Sequence, residues 1–379
     1  LFWMWIAAFF GMATKYSEGF LAVKYRTIDT EGHVLGGPFY YIENGMGKKW
    51  KWLAKIFAFF GACVGLMGIG TFSQVNGISS AVVGFFDPNC ENTVTIFGNT
   101  YSIVTVISGV IIALCAGLVI IGGLKRISSV SQVVVPFMAL LYIIAVVVLL
   151  VCNITKIPAA IVEIIEGAFG IRPIAGGMLA SMLISMRNGV ARGIFSNESG
   201  LGSAPIAAAA AKTHEPVRQG LISMTGTFID TIVICTMTGL SIVMMGSWSN
   251  EALQGVQVTT DAFQKGLHFL PAQAASFILM ICLVFFAFTT ILGWNYYGER
   301  CLEYLSGKNK VAVMIYRILY IAAVFIGPYM TVSEVWTIAD IFNGLMAFPN
   351  IIALFALNGV VARDTKDYFA RLKKGEISD

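Results

Sequence analysis

The sequence predicts an all-α polytopic membrane protein, on three observations. Apolar runs of about 20 residues recur along the chain, the length a helix needs to cross a hydrocarbon core. Hydrophobic residue types fill 57% of the 379 positions and charged types only 12%, about half the charged share of a soluble domain; mean hydropathy is +0.78. Lys and Arg collect on every second connection between the runs. A soluble fold of this composition would expose too much apolar surface to stay in solution.

Nine spans are expected, at approximately 1–23, 52–85, 102–121, 131–151, 173–195, 218–245, 272–297, 311–329 and 335–361. The second, fifth and last are long or interrupted by glycine, which predicts tilts or breaks. Residues 87–100 and 247–264 read as polar connections. No connection is long enough for a separate soluble domain. The sequence opens on LFWMWIAAFFGMA, without an initiator Met, a basic leader or a cleavage site. A chain that begins at or inside a transmembrane helix is expected from that opening.

Orientation follows from the basic residues. The odd-numbered connections and the carboxyl tail hold Lys24, Arg26, Lys48, Lys49, Lys51, Lys125, Arg126, Lys212, Arg300, Lys308 and Lys310, then Arg363, Lys366, Arg371, Lys373 and Lys374. The even-numbered ones hold Lys156, Arg172 and Lys265. Cytoplasmic loops carry the basic excess, so the odd connections and the tail are expected inside the cell. The tail, 362–379, reads either as a short amphipathic segment at the inner surface or as a solvated end.

The net charge of +4 is scattered over helix ends, so no nucleic-acid partner is expected. Seven cysteines lie mostly within apolar runs and form no C-x-x-C pair; they read as small buried hydrophobes. Three histidines make a His-based metal site improbable on composition. An intramembrane enzyme needs paired catalytic groups, and Asp230 and Asp340 lack such flanks. A channel needs a repeated filter or a charged ring, and the sequence shows neither.

Polar residues at membrane depth point to function. The second span carries Thr71, Ser73, Gln74 and Asn76 among glycines 65, 68, 70 and 77. Thr71 and Gln74 share a helix face, as do Ser73 and Asn76. Substrate contact and hydrogen bonding between helices both fit. The seventh span carries adjacent hydroxyls, Thr289 and Thr290. They could offer oxygens to a hard cation, or bond back to the preceding turn. Trp294 falls on the face of Thr290, either as a pocket wall or as an interfacial aromatic with Tyr296 and Tyr297. Asp230 sits among Thr227, Thr231 and Thr236, as an ion or proton site or as half of a structural pair. Asp340 and Asn343 pose the same question. Lys15 and Glu18, three apart, read as an ion pair near the inner helix end.

The stretch 189–212, GVARGIFSNESGLGSAPIAAAAAK, is polar and Gly-rich among apolar neighbours. Irregular backbone at membrane depth is tolerated only where protein buries it or a wet cavity runs past it. It is therefore a candidate passage or gate. Its end reads as a short helix with Ser203 as cap and Pro205 in the first turn.

Four segments, GMATKYSEGFLAVKYR, GGPFYYIENGMG, ARGIFSNESGLGSAPIAAAAAKTHEPVRQGLISMTGTFIDTIVICTMTG and LGWNYYGERCLEYL, resemble the alanine or glycine:cation symporter family, the sodium:alanine symporters. The resemblance covers essentially the whole chain. It implies a LeuT-like inverted-repeat helical bundle with substrate and sodium at the midplane. The first core helix, broken by a Gly-Thr-Gly-Asn-type stretch, would precede Leu1. On that reading 1–151 holds core helices two to five and 173–361 core helices six to ten. The resemblance implies sodium-coupled symport of a small neutral amino acid, alanine or glycine, into a bacterial or archaeal cell across the plasma membrane. A proton-coupled transporter of the same fold is the alternative. Sodium is the coupling ion, and no other cofactor is implied. By position, Thr289 and Thr290 become sodium ligands. Thr71, Gln74, Ser185 and Trp294 become substrate contacts, Ser185 within an unwound stretch of core helix six between Gly176 and Asn188. Arg192, Asn197 and Glu198 go to the inner gate, and Asp230 stays open between ion binding and structure.

Overall fold

The computed structural model describes residues 1–28, 34–96, 98–171 and 178–377. Helices run in the order α1 (Phe2–Lys24), α2 (Pro38–Tyr41), α3 (Lys51–Met67), α4 (Phe72–Phe86), α5 (Ile103–Ile121), α6 (Gly123–Cys152), α7 (Ile157–Ala168) and α8 (Met178–Asn197). They continue with α9 (Ala204–Ala208), α10 (Pro216–Thr227), α11 (Thr236–Met244), α12 (Val256–Gly266), α13 (Ala272–Ser306), α14 (Lys310–Ile326) and α15 (Val332–Lys373). Two small hairpins, β1 (Thr27–Ile28) with β2 (Val34–Leu35) and β3 (Thr93–Ile96) with β4 (Asn99–Ser102), close connections.

Among the described residues, seven helical segments are long and apolar enough to cross a membrane. Two of the nine expected spans, the first and the fifth, are not among them. They form α1 and α8, of 23 and 20 residues, but Lys15, Glu18, Arg187 and Arg192 interrupt their apolar character. Large apolar side chains such as Leu118, Leu140 and Phe355 stand exposed. In water such a belt would aggregate; facing lipid, it is the expected surface.

Helix α13 is the axis of the molecule. It packs against α3, α4, α6, α12 and α14, and its 35 residues extend about 50 Å. Phe57, Trp294, Tyr316 and Tyr320 fill the main core. A second cluster joins Val146 and Leu149 of α6 to Phe263 of α12 and Leu279 of α13. Close packing here depends on Gly298: a Cβ there would lie 1.9 Å from the Tyr316 hydroxyl, which donates to Ala62 O at 3.0 Å. Gly298→Ala is expected to cost about 1–3 kcal/mol by overpacking, read as a lower melting temperature in detergent; an unchanged melt would mean that α14 moves aside freely.

The second span breaks, as its glycines predict. Helix α3 stops at Met67 and α4 starts at Phe72. Gly70 lies so close to Trp294 that an added Cβ would meet the Trp294 Cβ at 2.4 Å. The freed carbonyls find side-chain donors, which the membrane interior requires. Thr71 donates to Leu66 O at 2.7 Å, Gln74 Nε2 to Ile69 O at 3.1 Å and Tyr320 to Gly70 O at 2.9 Å.

The fifth span is described only from Met178 onward. Residues 178–188 are continuous helix, and α8 runs on to Asn197; Arg172 and Gly176 lie outside the described residues. The backbone departs from helix at the next residues, where Glu198, Gly200 and Gly202 have φ of 57°, 87° and 84°. Glycine admits this left-handed region at little cost, and the sequence 178–188 offers no comparable release. The sixth span contains a wide π-helical stretch, Phe228–Cys235, between α10 and α11.

Two connections contain helices that periodicity did not reveal, α7 and α12. Residues 93–102 pair as β3 and β4, and the Ser102 hydroxyl donates to Asp87 at 2.5 Å. That bond holds the Asp87 carboxyl below the usual carboxylate range. The tail is not a separate solvated end. Helix α15 continues through Lys373; Tyr368 is buried, Lys24 pairs with Asp364 and Arg371 with Glu215 at 3.2 Å. The reason is a ready partner surface on α1 and α10.

The connections sort into two sets. Tyr304 donates to Glu43 at 2.5 Å and Arg371 meets Glu215, joining odd connections to the tail. Asn153 donates to Gly266 O at 2.9 Å and Tyr101 to Tyr329 O at 3.3 Å, joining even ones.

Candidate substrate cavity and gate

The segment after α8 forms a loop, 198–203, wedged among α1, α10, α13 and α15. Its three left-handed residues turn the backbone so that amides and carbonyls face these helices. Glu18, fully buried on α1, accepts the Gly202 amide at 3.0 Å and the Asn350 side-chain amide at 2.7 Å. Asn350, on α15, also donates to Gly200 O at 3.0 Å, and Tyr41 donates to its oxygen. Lys15 donates to Asn197 O at 2.7 Å. Lys15 therefore holds the end of α8 and Glu18 the loop that follows it.

Asn197 and Glu198 are both committed. Asn197 donates to Thr231 at 3.0 Å and accepts the Ser199 amide at 3.0 Å. Glu198 accepts the Ser203 hydroxyl at 2.6 Å and the indole N–H of Trp294 at 3.1 Å. Ser203 thus serves Glu198 and does not cap α9 with its side chain. Trp294, 1% exposed, is tied to the loop rather than to an interface.

Before Trp294 on α13, Leu283 and Ala287 border a cavity of about 340 Å³. Ser73, Gln74 and Asn76 of α4 form one wall; Leu283 and Ala287 of α13, Phe195 of α8 and Trp336 of α15 form the other. On α13 the residues Leu283, Ala287, Thr290 and Trp294 follow one helix face. The face thus runs from the cavity at Leu283 to the loop at Trp294. Arg192 lies 4.2 Å over the Trp336 ring and pairs with Asp340 at 2.5 Å, clasping α8 to α15 beside the cavity. Asp340 is in this way the partner of an arginine.

The other expected residues fall in several places. Thr71 is buried behind the α3–α4 break. Thr289 and Thr290 do not line the cavity of Gln74; both hydroxyls donate to the Phe286 carbonyl, at 2.9 and 3.0 Å. Three oxygens therefore gather at one point of α13, with the hydroxyl lone pairs still available. Ser185 is elsewhere. It donates to Gly167 O at 3.1 Å and lines a separate cavity of about 660 Å³ with Trp3 and Trp248. Asp230, in the π stretch, accepts Ser196 at 2.6 Å and Thr231 at 3.1 Å. Among the described residues no three His, Cys, Asp or Glu side chains gather to hold a metal ion.

Sequence reasoning missed Asn350 and Tyr41, and gave Glu18 Lys15 as its one partner, without Gly202 and Asn350. Polar Asn350 directly after Pro349 in an apolar span, and Tyr41 in GGPFYYIENG, were the available signals.

Comparison with known proteins agrees with a transporter. The sodium:alanine symporter family is matched over residues 1–379. The sodium/alanine symporter AgcS of Methanococcus maripaludis is 44% identical over 386 aligned residues, covering 100% of this chain and 79% of its own length. An uncharacterized transporter of Haemophilus influenzae is 52% identical over 98% of this chain and 77% of its own. The probable sodium/glutamine symporter GlnT of Bacillus subtilis is 37% identical over 99% and 73%. The chain belongs to the sodium:alanine symporter family, a family of membrane transporters and not of enzymes.

Proposed function

We propose that the protein imports a small neutral amino acid together with sodium, by alternating access on a LeuT-type fold. The observation that carries this reading is the cavity beside Gln74, bounded by a polar and an apolar wall, with the loop 198–203 bound by Glu18 and Trp294 at the other end of the same α13 face. A zwitterion lays its charged groups against Ser73, Gln74 and Asn76 and its side chain against the apolar wall. Sodium binds at the Phe286 carbonyl and the Thr289 and Thr290 hydroxyls, since neutral oxygens suit a hard cation. Thr71 holds the α3–α4 break in shape behind Gln74. Ser185 faces a different cavity and Trp294 is bonded to Glu198 of the loop, so the substrate reading rests on Gln74 with its neighbours Ser73 and Asn76. Asp230 acts structurally, through Ser196 and Thr231.

The basic connections and the tail lie in the cytoplasm of a bacterial or archaeal cell. The cavity then opens outward, toward residues 254–256, and the loop seals the inside. Segments 1–151 and 173–361 are the two repeats, and a bundle of helices drawn from both rocks to open the inner side. Release requires Glu18, Asn350 and Trp294 to let go of the loop. The membrane potential drives the sodium, at about 2.3 kcal/mol per charge per 100 mV. The alanine named for the 44%-identical relative is the first substrate to try.

The test is labelled alanine uptake into proteoliposomes holding the full-length protein, with and without an inward sodium gradient, and counterflow against internal alanine. Sodium-dependent uptake with counterflow is expected, and Gln74→Ala should reduce it at least tenfold. Uptake in sodium-free buffer driven by an acid exterior would replace sodium by the proton. Flux without counterflow would point to a channel.

A further inference from the structure

Behind the apolar wall of the Gln74 cavity lies a second space of about 200 Å³, between α6, the π stretch, α11, α12 and α13. The two spaces share three lining residues, Val256, Thr259 and Leu283. Its remaining wall includes Ile234, Leu279, Cys282 and Phe286. Of the three hydroxyl side chains that line it, Tyr142 and Thr238 bond to each other and Thr259 sits at the boundary shared with the Gln74 cavity, so its inner wall is apolar. A cavity without polar partners stays dry and accepts apolar matter. Its volume is about seven times a water molecule's share of the liquid, ~30 Å³.

Leu283 stands where the two spaces meet. With Leu279, Cys282 and Phe286 it forms the i, i+3, i+4, i+7 stripe facing the annex; with Ala287 it faces the Gln74 cavity. Val256 and Thr259 complete the partition from α12, one turn apart on a single face. A zwitterion has its polar groups on the α4 side, so its side chain points at this partition.

We propose that Leu283 is a specificity-determining residue that sets the upper size of the substrate side chain, and that the annex behind it is a latent subsite for longer apolar side chains. This rests on the function proposed above. Leu283 limits the wild-type site to small side chains. Its removal joins the two spaces and admits leucine or methionine, the partition being only one side chain thick.

The experiment measures inhibition of labelled alanine uptake by leucine and methionine in proteoliposomes, for the wild type, Leu283→Ala and Leu283→Phe. Leu283→Ala should lower the half-inhibiting concentration of leucine at least tenfold relative to the alanine KM, in line with the 10–200-fold worth of a methylene in an apolar pocket. Leu283→Phe should raise that ratio by threefold or more. Half-buried Leu283 tolerates both, and the two changes act in opposite directions, so either alone decides the matter. An unchanged leucine-to-alanine ratio in a variant that still takes up alanine overturns the subsite. Absence of alanine uptake by the wild type instead overturns the function on which it rests.

Discussion

Glu18→Ala is expected to lower the melting temperature in detergent by about 5–10 °C and to abolish uptake. The carboxylate is fully buried, and its Oε1 takes both the Gly202 amide and the Asn350 side chain. Alanine leaves the Gly202 amide and one N–H of Asn350 without an acceptor, at about 1–3 kcal/mol each. It also leaves Lys15, 8% exposed, without a nearby opposite charge. Removing one member of a buried charged set costs about 3–5 kcal/mol, and in a chain of this size each kcal/mol shifts the midpoint by about 2 °C. Glu18→Gln keeps one carbonyl oxygen and should fold with a smaller loss. It should still transport poorly, because a neutral amide holds the loop less firmly. An alanine variant that melts with the wild type would show that the loop is held without Glu18.

The second large effect belongs to the threonine pair. Thr289→Val with Thr290→Val should raise the sodium concentration for half-maximal uptake at least tenfold, equivalent to about 1.4 kcal/mol. Valine keeps the shape and the branched Cβ but removes both oxygens from beside the Phe286 carbonyl. The hydroxyl donors bond only within their own helix, so folding should survive and the loss should fall on sodium. Serine at both positions should restore near-normal sodium dependence. An unaltered sodium requirement in the double valine variant would remove these residues from the ion site.

Much of the site was readable as residue types. The glycines of the second span announced its break, and Gly70 against Trp294 explains where it falls. Asn197 and Glu198 stood out as polar groups in a Gly-rich loop, and both are bound within it. The position of irregular backbone around α8 was less legible. The described irregular backbone falls at Glu198, Gly200 and Gly202, and nothing local says that the non-glycine Glu198 joins the two glycines there. Helices α7 and α12 escaped notice because they are short and their polar faces look like connection.

The sequence by itself determined that the chain crosses a membrane many times, which connections share a face, and which loop is irregular. Those properties depend on composition, charge and neighbours within a few positions. Tertiary structure alone decided which polar groups meet. Spacing paired Glu18 with Lys15, three residues away, whereas its donors, Gly202 and Asn350, lie 184 and 332 residues along the chain. A buried carboxylate surrounded by apolar helices must find hydrogen-bond donors wherever packing brings them. No local pattern encodes a meeting of four helices.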